Sequence, residues 1–197
     1  MIMQKLKFIY AFPLDRGRRV LAKEKGRTDY PSLEEVRETK RHLQELWDKI
    51  DSEKNVLEKI KDLTKITPKR NLECFVIGGL LRPMSTPFIM PILSRDGKRT
   101  DEDFIDTTIH ELLHIFVSRS DTYFEFVRNK YKDEPILTQN HIIIYAFLEK
   151  IYKDLFDSRP LDYSRDGLSE DYQRAVDIVK EQGSENIIEE YYHLVKR

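Results

Sequence analysis

Two periods of apolar residues alternate along the chain. Residues 5 to 12 (KLKFIYAF) are rich in aromatic and β-branched side chains and predict a first strand. The stretch after it, with Arg16, Arg18, Arg19, Lys23, Lys25 and Arg27, is polar and basic and reads as a solvated loop rather than a partner-binding patch. Ser32 and Glu35, just after Pro31, have the spacing of a capping box and open a helix. Its apolar stripe of Val36, Leu43, Leu46, Trp47, Ile50, Val56, Leu57 and Ile60 runs to about residue 64, with a break expected near Asp51-Ser52.

Residues 72 to 80 and 86 to 93 predict a strand pair joined across Arg82-Pro83, and Pro87 and Pro91 place the second strand at a sheet edge. Thr100 caps a helix over about 101 to 118, with Asp101, Glu102 and Asp103 in its first turn, where carboxylates favour the helix dipole. A short helix is expected over 121 to 132, and Pro135 starts a long one through about Phe156. A polar loop over 157 to 168 follows. Ser169 then opens a helix that Gly183 ends, and Ser184 caps the last. Strand, helix, strands and then helices, in that order, imply one α+β domain over residues 1–197, a small mixed or antiparallel sheet packed on helices.

A length of 197 residues supports one well-buried core. The net charge of −1 argues against a general nucleic-acid binder. Cys74 is the only cysteine, so no intramolecular disulfide can form, and a reducing, cytoplasmic setting is expected. Met1-Ile2-Met3-Gln4-Lys5 lacks the layout of a signal peptide. Residues 75 to 93 are nearly uncharged, but Gly78-Gly79, Arg82, Pro83, Pro87 and Pro91 exclude a clean spanning helix, so no membrane partner is expected.

The chemistry concentrates at His110-Glu111-Leu112-Leu113-His114. Residues four apart share one face of a helix, so His110 and His114 can offer two imidazole nitrogens to one metal ion, and Glu111 can reach water at that metal. The flanking run from Thr107 to Phe116 is otherwise uncharged and has no proline. Phe104, Ile105, Thr108, Ile109, Leu112, Ile115 and Phe116 form a side for the core, and Asp103, Asp106, Thr107, His110 and His114 a side for a cleft.

This motif resembles that of the zincin metallopeptidases, specifically over residues 107 to 116. The resemblance implies a twisted sheet, an active-site helix and a third zinc ligand further along the chain. Val117 and Ser120 stand where metzincins continue to a glycine and a third histidine, which excludes that branch. Leu72-Glu73-Cys74-Phe75 lacks the signature of peptide deformylases, and Cys74 reads as a small buried strand residue. Gluzincins take the third ligand from a second helix, often a glutamate after an asparagine. Thr138-Gln139-Asn140-His141 has that layout with His141 in the glutamate's place, and Tyr145 stands where the family has an aspartate. The chain is therefore gluzincin-like, with His141 as third ligand, Glu149 as its main rival and Asp121 as a weaker one. Asp106 can orient a ligand imidazole or be an ordinary surface acid. Tyr145, Tyr152, Tyr191, Tyr192 and His193 are candidates to stabilise an oxyanion, and His42 reads as a surface residue.

The resulting expectation is a zinc-dependent peptidase. His110, His114 and His141 hold Zn2+, and Glu111 is the general base that takes a proton from water and passes it to the leaving amine. A polypeptide substrate would add as a strand to residues 86 to 93. The alternatives are a zinc hydrolase of a non-peptide amide and a binding module whose zinc is structural.

Overall fold

The computed structural model describes residues 5–68, 71–94, 97–118, 120–158, 160 and 169–195. Most of the polar loop expected over 157 to 168, and the first four residues of the N-terminal segment, lie outside the described residues. The architecture is mixed α and β, and mostly helical. Two compact units divide the chain, one of residues 1–53 and 68–111, the other of residues 54–67 and 112–197.

The first unit holds the sheet. Strands β1 (Leu6–Tyr10), β2 (Leu72–Ile77), β3 (Met84–Ser85) and β4 (Phe88–Pro91) stand in the order β1-β2-β4-β3. β1 and β2 are parallel, from Leu6 opposite Leu72 to Tyr10 opposite Val76. β2 and β4 are also parallel, with Phe75 opposite Ile89. β3 is antiparallel to β4, pairing Ser85 with Phe88. A small hairpin of β5 (Leu93–Ser94) and β6 (Gly97–Lys98) leads on to the motif helix.

The expected edge position of residues 86 to 93 is therefore wrong. β4 is interior, its four residues are buried, and β3 forms the edge. Pro87 precedes the strand and Pro91 ends it, so neither removes an N–H from the middle of the ladder. The pair is also parallel, because the chain between its members folds back through β3.

The basic stretch from Arg16 to Arg27 is likewise largely helix rather than loop. Helix α1 spans Phe12–Glu24, with Pro13 in its first turn, where a missing N–H costs no hydrogen bond. Its hydropathy is inverted: Asp15 is buried and Val20 is 53% exposed, so no apolar period marks it.

Helix α2 (Leu33–Lys54) begins with the expected capping box. The Ser32 N–H donates to the Glu35 carboxylate at 2.7 Å and the Glu35 N–H donates to Ser32 Oγ at 3.1 Å. The break before α3 (Val56–Thr64) falls at Asn55 rather than at Asp51-Ser52. Asn55 has a φ of 53°, a left-handed conformation that asparagine tolerates better than most residues.

The second unit is helical. Helix α4 (Asp101–Val117) continues into it and is followed by α5 (Asp121–Lys130), α6 (Ile136–Ile151), a π-helical turn (Tyr152–Phe156), α7 (Glu170–Gln182) and α8 (Ser184–Val195). The α-helices were expected at these places, but α6 was expected to run to about Phe156, where the structure has a π-helical turn, and Ser184 is the first residue of α8 rather than a cap before it. Residues 141 to 148 of α6 are all buried, and α3, α5, α7 and α8 pack around that helix. Tyr191 joins this core through edge contacts to Tyr123 and Phe147, and its hydroxyl donates to the Thr64 carbonyl. Among the described residues, no helix is long and apolar enough to cross a membrane.

Candidate metal centre

The phase of α4 is set at its start. The Thr100 N–H donates to Asp103 Oδ2 at 3.2 Å, and the Asp103 N–H donates to Thr100 Oγ1 at 3.1 Å. Arg99 Nη1 donates to Thr107 Oγ1 at 3.1 Å, one turn before the motif. These contacts anchor the first two turns, so that His110 and His114 project one turn apart from a fixed helix.

His141 lies in the second turn of α6, and its ring orientation can be read from its bonds. Nδ1 lies 2.7 Å from the Leu137 carbonyl. A carbonyl only accepts, so Nδ1 carries the proton and Nε2 of the neutral ring carries the lone pair. His141 Nε2 lies 3.1 Å from His114 Nε2. Two nitrogens bound tetrahedrally at zinc distances stand about 3.3 Å apart, so this pair already has the bite of a chelate. His110, His114 and His141 together offer ligand atoms all within 4.8 Å of one another.

The three histidines singled out from sequence are thus brought together. Among the described residues, neither Glu149 nor Asp121 joins the group. Asp121 is exposed and starts α5, because α4 ends at Val117 and does not carry the helical face that far. Cys74 is fully buried on β2, where burial, and then the charge of Glu111, push its thiol well above the usual range. His42 is a surface residue whose Nε2 meets Asp101 Oδ1 at 2.7 Å.

The surroundings of the motif differ from the expected two-sided helix. Of the side expected to face a cleft, Asp106, Thr107 and His110 are buried at 1%, 8% and 8% exposure while Asp103 and His114 are half-buried, and Glu111 is 9% exposed, so the polar side is open only in part. Asp106 is accordingly not a surface acid.

Of the aromatic candidates, Tyr145 is buried, with its ring centroid 6.0 Å from that of His141. Tyr152 stacks on Phe156 at 4.9 Å, and Tyr191 is committed to the core of the second unit. Tyr192 tilts against Tyr191, and His193 lies on the exposed side of α8. The aromatic ring nearest His141 belongs instead to Tyr172, edge to face at 4.3 Å. Sequence reading missed it, although Tyr172, Ala175, Val176 and Val179 have the spacing of one helical face, the face that α7 packs on α6.

Comparison of the chain with protein-family models, with curated proteins and with solved structures finds no match.

Proposed function

We propose that the protein is a zinc-dependent hydrolase of amide bonds and, following its motif, a peptidase. The observation that carries this reading is the convergence of His110, His114 and His141, with Glu111 adjacent to the first of them in the chain. Three imidazoles with no thiolate suit zinc, and a three-residue set leaves a coordination position open, as catalytic sites require.

The ion would supply Lewis acidity to a scissile carbonyl and to water. The residues do the rest. His141 keeps its Nε2 lone pair available because Leu137 holds the proton on Nδ1. Glu111 accepts the proton of the attacking water and returns it to the departing amine. The near-burial of Glu111 limits competing bulk water.

A second reading, hydrolysis of a small non-peptide amide, is favoured by two observations. The strand that would have paired with a peptide is interior, and His110 and Glu111 are enclosed.

The deciding variant is Glu111→Gln, which keeps the shape and removes the proton acceptor. It is expected to retain stoichiometric zinc and to lose about 10²- to 10⁴-fold in kcat. Hydrolysis is to be followed on a mixed peptide library and on small N-acyl amides, with zinc measured on the same samples. Turnover that survives both Glu111→Gln and a chelator would refute the mechanism. A wild-type chain that takes up no zinc would refute the site.

A further inference from the structure

We propose that Tyr172 is a positioning residue for His141, so that α7 sets the geometry of the metal centre without supplying a ligand. The inference rests on the metal-site reading above.

An imidazole on a helix rotates about two side-chain torsions, and a ligand nitrogen is useful only in a narrow part of that range. For His141, the Leu137 carbonyl restrains the ring through Nδ1, in the ring plane. A single hydrogen bond still leaves the ring free to tilt about the N–H···O axis. The Tyr172 ring supplies the second restraint. It meets the imidazole edge to face, centroids 4.3 Å apart and planes at 65°. Tyr145 backs the pair at 6.0 Å from His141 and 6.5 Å from Tyr172. The His114 ring stands at 4.6 Å and 76°.

Tyr172 is itself held. Thr138 Oγ1 donates to the Asp171 carbonyl at 3.0 Å, joining the first turn of α6 to the first turn of α7 beside the tyrosine. Two residues further on, Arg174 donates to Glu134 Oε1 through Nε at 3.0 Å and Nη2 at 2.8 Å. Gln139 Nε2 donates to the Glu134 carbonyl at 2.8 Å and closes the brace. Thr138 and Gln139 are both buried, so this part of the contact is shielded from water. Tyr172 is thus pinned on either side in sequence, with its ring against the one metal-site histidine that does not belong to the HExxH helix. In many metal sites a carboxylate orients the ligand imidazole. Here a backbone carbonyl and an aromatic edge divide that task.

The test is cobalt(II) titration of the metal-stripped full chain. It reads affinity from the titration and coordination from the d–d absorption band. Tyr172→Ala is expected to weaken binding by about 10- to 100-fold, the usual cost of losing an outer-shell partner, and to alter the band. Tyr172→Phe keeps the ring and is expected to restore both affinity and band. Tyr172→Leu keeps the bulk without an aromatic edge, so it is expected to behave like alanine even if alanine at this position loosens the fold. Leucine or alanine variants that bind as tightly as wild type with an unchanged band would overturn the proposal. So would a phenylalanine variant as weak as alanine, because the hydroxyl rather than the ring would then matter. A wild-type chain that binds no cobalt would overturn the metal site itself, and is told apart by the failure of every sample.

Discussion

Replacing Asp15 tests how the sheet unit is held together. Its side chain is fully buried, yet four donors meet it. Oδ1 accepts from the Tyr30 hydroxyl at 2.7 Å and from the Gly78 N–H at 2.7 Å. Oδ2 accepts from the Tyr10 hydroxyl at 2.9 Å and from Arg19 Nη2 at 3.1 Å. One carboxylate therefore joins the end of β1, helix α1, the segment before α2 and the end of β2. Alanine leaves the Gly78 N–H and the Tyr30 hydroxyl without an acceptor in the interior. At about 1–3 kcal/mol each, with a smaller loss from Arg19, whose side chain is 30% exposed, the cost is about 3–5 kcal/mol. Asparagine separates the contributions. Its amide oxygen can keep Tyr30 and Gly78, while its NH2 faces Tyr10, whose hydroxyl can turn to accept, and Arg19, which cannot. The expected loss is that of the part-exposed Arg19 bond alone, about 0.5–1.5 kcal/mol. Trp47, the only tryptophan and buried on α2 of the same unit, reports urea unfolding. The midpoint should fall in the order wild type, asparagine, alanine at unchanged slope. Alanine within about 0.5 kcal/mol of wild type, the usual range for a surface change, would refute the reasoning. Asparagine as costly as alanine would refute the acceptor assignment. Tyr10 and Tyr30 both have a raised pKa, first from burial and then from the bond to Asp15. Folding therefore favours their protonated forms, and their contribution is complete below the ordinary phenol pKa of about 10 and is lost as pH rises above it.

Two further outcomes follow from named contacts. His141→Ala should lower zinc affinity by more than the roughly 10- to 100-fold cost of losing an outer-shell partner, while Glu149→Ala should leave it unchanged; the reverse result in a competitive chelator titration would move the third ligand along α6. At Gly78 an added Cβ would lie 2.6 Å from Tyr30 Cε1, so Gly78→Ala should displace Tyr30 and cost about 1–3 kcal/mol, with less than the additive loss when combined with Asp15→Ala in a double-mutant cycle.

Legibility in the sequence followed the range of the interaction that decides each feature. Most helices from α4 onward were readable because their ends are written locally: Thr100 with Asp103, Pro135, and Gly183. The pairing of His110 with His114 was readable for the same reason, as a matter of one helical turn. Helix α1 was not, because its buried side rests on a charged residue whose partners lie up to 63 positions away. The prolines around β4 suggest an edge, but they stand before the strand and at its last residue, where they leave its interior pairing intact. His141 was reached only through the layout of a resembling family, since nothing within a turn of it fixes its distance to His114. Tyr172 was missed because its role arises from the packing of α7 on α6, and its own neighbours in sequence announce nothing.

The proposed set of three imidazole ligands would have an electrostatic consequence for the motif helix. A gluzincin-type set includes a carboxylate, which takes one charge from the ion before any catalytic group is counted. His110, His114 and His141 are all neutral as ligands, so the whole double charge of a zinc ion would remain to be balanced by other groups. α4 holds two carboxylates in low exposure, Asp106 one turn before His110 and Glu111 directly after it, at 1% and 9%. Burying a carboxylate is costly unless opposite charge or hydrogen bonds compensate it. A dication at the histidines would stabilise both in their charged forms. Glu111 would then meet two opposing demands, to balance the ion and to take a proton. Under the proposed ligand set, a charged Asp106 would share in balancing the ion, so that the demand would not fall on Glu111 alone.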